Sequence, residues 1–169
     1  MWCPNLQQVF RKNYRNKNYD FWILFLRLDA DTSIEKEIKE KHERIYTILK
    51  EQNVDYSEIT TFQGKKAVYE KFNFKESKHP LFYVFNKHPL QYNKKEPFLI
   101  VEWGKWVNAD IDSFKNDLMA FVNFFSDNEF REKIANAKNE KMWCQVIKFL
   151  KNYGFELLSI GITISSAIL

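Results

Sequence analysis

The chain predicts an α/β protein, a three-layer α/β/α arrangement around a central four-stranded mixed sheet, with a C-terminal helical extension. Two short apolar runs rich in aromatic and β-branched residues, LFYVF after His79-Pro80 and FLIVEW ending at Trp103, are of strand length. Upstream of them strand-like and helix-like patterns alternate, as they do when a crossover helix joins neighbouring parallel strands. Downstream, Ile111, Phe114, Leu118, Phe121, Val122 and Phe125 recur at helical spacing and give the cleanest apolar face in the chain.

The elements follow in order. Residues 5–16 can form a short helix with Leu6, Val9, Phe10 and Tyr14 inward and basic residues outward. Asp20 to Leu28, DFWILFLRL, is nearly all apolar, which predicts an inner strand covered on both faces. Thr32-Ser33-Ile34-Glu35 matches a capping box, so a helix starts there, and Ile34, Ile38, Ile45, Ile48 and Leu49 form its apolar stripe to about residue 51. VDYSEI carries the second strand, and Gln63 to Asn73 a short helix with Ala67, Val68 and Phe72 inward.

Pro80 cannot sit inside a central strand but can open one, so it fixes the start of the third strand, Leu81 to Asn86. The fourth is Phe98 to Trp103, and the eleven residues between them, KHPLQYNKKEP, exceed the usual hairpin loop of about 2–5. Something is inserted there. Asn108 or Asp110 can cap the helix that ends near 126. Two further helices are expected over Asp127 to Asn136 and Lys138 to Tyr153, with Gly154 as a stop. The final FELLSIGITISSAIL is apolar, β-branched and almost uncharged, so it has to be covered, either by its own domain or by a partner. The reading therefore divides the chain into a basic arm (1–18), a domain (19–126) and an extension with an apolar tail (127–169).

A chain of 169 residues is large enough to bury about two thirds of its extended surface without staples. Its two cysteines, Cys3 and Cys144, lie far apart and without metal-ligand spacing, which suggests neither a disulfide framework nor a zinc site and points to an intracellular, cytoplasmic setting. No cleavable secretion signal is visible after Met1, and the longest uncharged run, Leu157 to Leu169, is shorter than the roughly 20 residues a membrane span needs. Charge is placed unevenly. Of 26 basic residues, Arg11, Lys12, Arg15 and Lys17 stand in an arm without acids, and the other 22 balance the 22 acidic residues.

From about Tyr19 to Ser126 the order strand, helix, strand, helix, strand, strand, helix resembles the thioredoxin-like fold. The closest local echoes are AVYEKFNF before HPLFYVFN and the helix DIDSFKNDLMAFVNFF. The resemblance implies a cis peptide bond before Pro80, beside the place where family members carry their redox pair. Here the chain departs from the family. The first helix opens with Asp29-Ala30-Asp31-Thr32-Ser33 where two cysteines would stand, and no Cys-x-x-Cys occurs anywhere. Carboxylates suit a helix start but cannot exchange disulfides. What the resemblance leaves is a groove beside His79 and Pro80 in which an extended partner could pair with backbone.

Three functions are compatible with these residues. The preferred one is a non-catalytic interaction or assembly subunit, with a protein partner or a second copy and no cofactor. Its contact residues would be His79, Pro80, Trp103, Trp106 and the tail's Leu157, Leu158 and Ile160, although core packing is the plainer role for the two tryptophans. The second is nucleic-acid association through Arg11, Lys12, Arg15 and Lys17, which would be weak, salt-dependent and blind to sequence. The third is a Mg²⁺-dependent phosphohydrolase. LFLRLDADTS resembles the Asp-x-Asp-x-Thr motif of haloacid-dehalogenase-type enzymes, with Asp29 as nucleophile and Asp31 as acid/base, but a second acidic cluster to hold the metal is not evident. Helix capping explains both aspartates more simply. His42, beside the first helix stripe, is expected to bond a carbonyl and not to act as ligand or base.

Overall fold

The computed structural model describes residues 18–26, 33–59, 66, 68, 81–92, 96–103, 111–152 and 161–165. Among them are strands β1 (Phe21–Leu26), β2 (Val54–Ile59), β3 (Leu81–Phe85), β4 (Phe98–Glu102) and β5 (Gly161–Ser165). The helices are α1 (Ser33–Glu40), α2 (His42–Glu51), α3 (Ile111–Phe124), α4 (Asn128–Asn136) and α5 (Glu140–Asn152). The fold is mixed α/β. One open sheet runs in the order β2-β1-β3-β4-β5, with β1 and β2 parallel and every other neighbouring pair antiparallel. The four expected strands thus lie side by side, and the apolar tail supplies a fifth at the β4 edge.

β1 is an inner strand because its sequence cannot tolerate water on either side. All six residues of FWILFL are buried, each contributing about 1.5–3 kcal/mol for the larger side chains. Phe21, Ile23 and Phe25 join one core cluster with Val54, Tyr56, Phe82, Val84, Leu99 and Val101. Trp22, Leu24 and Leu26 join a second, on the opposite face, with Ile59, Tyr83, Phe85, Tyr92, Phe98 and Ile100. The period of two divides each strand between the faces.

The first face is covered by helices. Ile34 and Ile38 of α1 and Ile45 and Leu49 of α2 are fully buried, and Ile48 partly so. α1 and α2 are one helical run with a single loosened residue. The i to i−4 bonds continue through it, Lys41 N to Glu37 O at 3.0 Å and Ile45 N to Lys41 O at 2.9 Å, while Lys41 itself has φ −90° and ψ 3°. Glu37, only 7 % exposed, meets Lys41 at 3.4 Å and Lys115 of α3 at 3.6 Å, tying the run to its neighbour. After α2 the chain reverses at Asn53, whose φ of 57° is a left-handed conformation that asparagine tolerates better than most residues. Its carbonyl then accepts from Asp20 N at 2.9 Å, setting the start of β2 beside β1.

The two C-terminal helices extend the same layer. Asp127 caps α4 by accepting from Phe130 N at 2.8 Å, and the Asn139 side chain accepts from Met142 N at 3.0 Å at the start of α5. Phe130, Ile134, Trp143, Val146, Phe149 and Leu150 are continuous with the main core, and the Phe130 and Phe149 rings stack at 5.9 Å. On the second face Val68, helical and fully buried, and Lys66, helical and exposed, are the described residues of the helix expected over 63–73, while Ala67 and Phe72 lie outside the described residues. The long β3–β4 connector contains a 3-10 turn, Pro89–Gln91, that delivers Tyr92 into the second cluster. No helix among the described residues is long and apolar enough to cross a membrane.

Candidate functional site

The carboxyl ends of the parallel strands β1 and β2 and the start of β3 lie at one end of the sheet. In open α/β sheets ligands are commonly held beyond such carboxyl ends. Most of the residues that sequence places in function fall outside the described residues: Asp29, Asp31, His79, Pro80, Trp106, Leu157, Leu158, Ile160, and the arm residues Arg11, Lys12, Arg15 and Lys17. The bond before Pro80 lies outside them too. Trp103 is described, and it is wholly buried. Its ring lies 5.3 Å from Phe82, 5.6 Å from Phe114 and 5.9 Å from Phe121, so it is a core residue and offers no surface to a partner.

The described titratable cluster nearest that end joins α2 to the edge strand β2. His42 Nδ1 stands 3.4 Å from Glu58 Oε2, and its ring stacks on Tyr46 and lies 5.4 Å from Tyr56. The neighbour at Nδ1 is a carboxylate and not the expected carbonyl, and the two are close without a hydrogen bond. Tyr56 is buried beneath this pair, and burial, then the nearby Glu58 charge, push its phenol well above the usual range. The phenol stays protonated. The result is an imidazole beside a carboxylate at a partly exposed helix edge, and no group of three or more His, Cys, Asp or Glu side chains among the described residues could hold a metal ion.

The opposite end of the sheet carries the denser polar structure. Asn86 Nδ2 donates to Ile134 O at 2.9 Å and Ala137 O at 2.7 Å, two carbonyls at the C-terminal end of α4, while Oδ1 accepts from Tyr92 Oη at 2.6 Å. Burial and the Glu96 charge raise the Tyr92 phenol, against a lowering by the Asn86 backbone N–H. Lys87 pairs with Glu96 and stands 5.0 Å over the Tyr92 ring. Arg131 of α4 works as a second rivet. It donates to Gln52 O at 2.6 Å, Phe125 O at 2.9 Å and Asp20 Oδ2 at 2.5 Å, and covers the Phe21 ring at 5.0 Å. One guanidinium therefore satisfies the chain just past α2 and α3 together.

Between α4 and the β3–β4 connector run two adjoining hollows of about 380 and 460 Å³ that share Asn86, Lys87 and Ala135. The larger has Tyr19, Trp22 and His88 on its walls, with the His88 ring 5.6 Å from Trp22 and burial lowering the imidazole pKa. Sequence reading missed this end, though the overlong connector signalled an insertion. Arg131 carried no such signal, because two of its three partners, Gln52 and Asp20, lie 79 and 111 residues away in sequence.

The two sheet edges differ in chemistry. β2 presents VDYSEI, with Asp55 and Glu58. β5 presents GITIS, with neither a charge nor a proline, and pairs with β4 over five consecutive positions, Phe98↔Ser165 to Glu102↔Gly161. Among the described residues no strand pairs with its outer side. No family model, no curated protein and no solved structure matches the chain.

Proposed function

We propose that the chain is a thioredoxin-like interaction or assembly subunit whose work is binding and not thiol exchange. The observation that carries this is β5: the apolar tail delivers an uncharged strand to the sheet edge, where its outer backbone groups meet no strand among the described residues. An edge of that kind is a template for another strand, and main-chain hydrogen bonds then supply affinity. Natural edges that must not pair are blunted by charge, proline or bulges, and β5 has neither charge nor proline.

The thioredoxin-like part of the reading is supported by the order β2-β1-β3-β4 with only β1 and β2 parallel, and by helical residues against both faces of the sheet. The binding part is supported by the missing redox pair. The chain has no Cys-x-x-Cys, and Cys144 is exposed on α5, away from the start of the first helix.

The test is the solution mass of the full chain together with affinity capture from its native host, each done with and without residues 161–169. The expected result is a tail-dependent complex, whether of like or unlike chains. A folded protein that is monomeric and captures nothing, with or without the tail, would overturn the reading.

A further inference from the structure

We infer that the exposed face of α5 is a docking surface for the phosphate backbone of a nucleic acid, held without reading its sequence. The face does not involve the β5 edge and does not depend on the assembly reading. From Ala137 to Asn152 four lysines, Lys138, Lys141, Lys148 and Lys151, stand against one acid, Glu140, a local excess of +3, although residues 20–169 as a whole sum to zero. α5 cannot turn these lysines away. Trp143, Val146, Phe149 and Leu150 are buried and fix its other side in the core. With 3.6 residues per turn, Lys141 and Lys148 project within about 20° of each other on the side opposite that core, Lys151 lies about 60° further round, and the three span about 15 Å along the axis. All three are exposed, as are Gln145 and Asn152 beside them.

These charges are also unspoken for. Several lysines elsewhere are tied down: Lys41 and Lys115 meet Glu37, Lys87 meets Glu96, and Lys133 meets Glu129. None of the four at α5 has an ion pair among the described residues, and no lysine stands three or four positions from Glu140.

The make-up of the face decides between partners. Protein interfaces draw their energy from aromatic side chains and arginine and are poor in lysine, whereas this face has lysine, no exposed aromatic ring and no arginine. A helix that lies in a membrane needs an apolar side free to enter it, and that of α5 is already buried. Lysine point charges flanked by the amides of Gln145 and Asn152 suit phosphate and sugar oxygens. The absence of arginine removes the commonest bidentate contact to a base edge, so attachment is to the backbone.

The test is fluorescence anisotropy of labelled oligonucleotides of about 25 residues, single-stranded and duplex and of unrelated sequences, titrated with the full chain from about 50 to 200 mM salt. Lys141→Glu, Lys148→Glu and Lys151→Glu together should weaken binding at least about tenfold at the low-salt end and make the slope of log K on log salt shallower by about 2–3, three contacts at about 0.7 each on a single strand and 0.9 on a duplex. Glutamine at the same three positions, a good helix former, should lower the slope alike, and arginine should preserve it. Far-ultraviolet circular dichroism confirms that each variant is folded.

The proposal is overturned if the wild type binds neither oligonucleotide at low salt, or if the glutamate and glutamine variants bind as the wild type does, in which case the contact belongs to Arg11, Lys12, Arg15 and Lys17 of the arm. It is equally overturned if polyglutamate, or vesicles of phosphatidylserine and phosphatidylcholine, compete as well as the oligonucleotide at equal charge, which would make the partner an acidic protein or a membrane surface.

Discussion

Replacing Asn86 tests whether the end of α4 is held to the sheet by one side chain. Asn86→Ala deletes the bonds to Ile134 O, Ala137 O and Tyr92 Oη. At about 0.5–1.5 kcal/mol each, the loss comes to about 1.5–4.5 kcal/mol. For a chain of this size that lowers Tm by about 3–18 °C. Asn86→Asp is the sharper variant. It keeps the shape and the acceptor for Tyr92 but cannot donate when ionised, and it sets a negative charge against two carbonyls at the negative end of a helix. At pH 7 it should be less stable than Asn86→Ala, and it should recover as the carboxyl protonates and regains one donor. Tyr92→Phe, which loses the bond to Asn86 Oδ1 and the one from Asn86 N, should cost about 1–3 kcal/mol. The assay is guanidinium unfolding followed by tryptophan fluorescence and far-ultraviolet circular dichroism between pH 4 and 8. The reasoning is refuted if Asn86→Asp matches the wild type within about 0.5 kcal/mol at pH 7, or if Asn86→Ala costs less than about 1 kcal/mol.

Arg131→Ala should cost about 2–4 kcal/mol, since it strips donors from Gln52 O and Phe125 O, whereas Asp20→Ala should cost under about 1 because Asp20 is half exposed; denaturation midpoints decide. Trp103→Ala should lose about 3–5 kcal/mol as a core cavity, and a near-neutral result would place the ring at the surface instead. The phenols of Tyr56 and Tyr92 are raised in the folded protein, so their contribution is intact below the unfolded value near 10 and is lost as pH climbs above it. Tyr92→Phe should flatten part of that alkaline limb, read by unfolding midpoints from pH 8 upward. His88 runs the other way. Its imidazole is lowered by burial, so its contribution is intact above about 6.5 and is lost as pH falls through the folded value, and His88→Gln should flatten that part of the acid limb.

What sequence could and could not reveal follows from the range of the interactions involved. β1, β2 and the helix faces were legible because each is written in local periodicity: six consecutive apolar residues leave no face for water, and a stripe at helical spacing names its buried side without knowing what it meets. The split between α1 and α2 at Lys41 was not legible, because the apolar stripe and the hydrogen-bond ladder both run through it. The tail was half legible. Its need for cover was evident, but a short β-branched run fits a strand or a buried helix equally, and only the partner β4 decides. The polar end was the least legible. Asn86 reads as the last residue of a strand and Arg131 as one more charge on a helix, and each acquires its role from carbonyls brought to it by the rest of the fold.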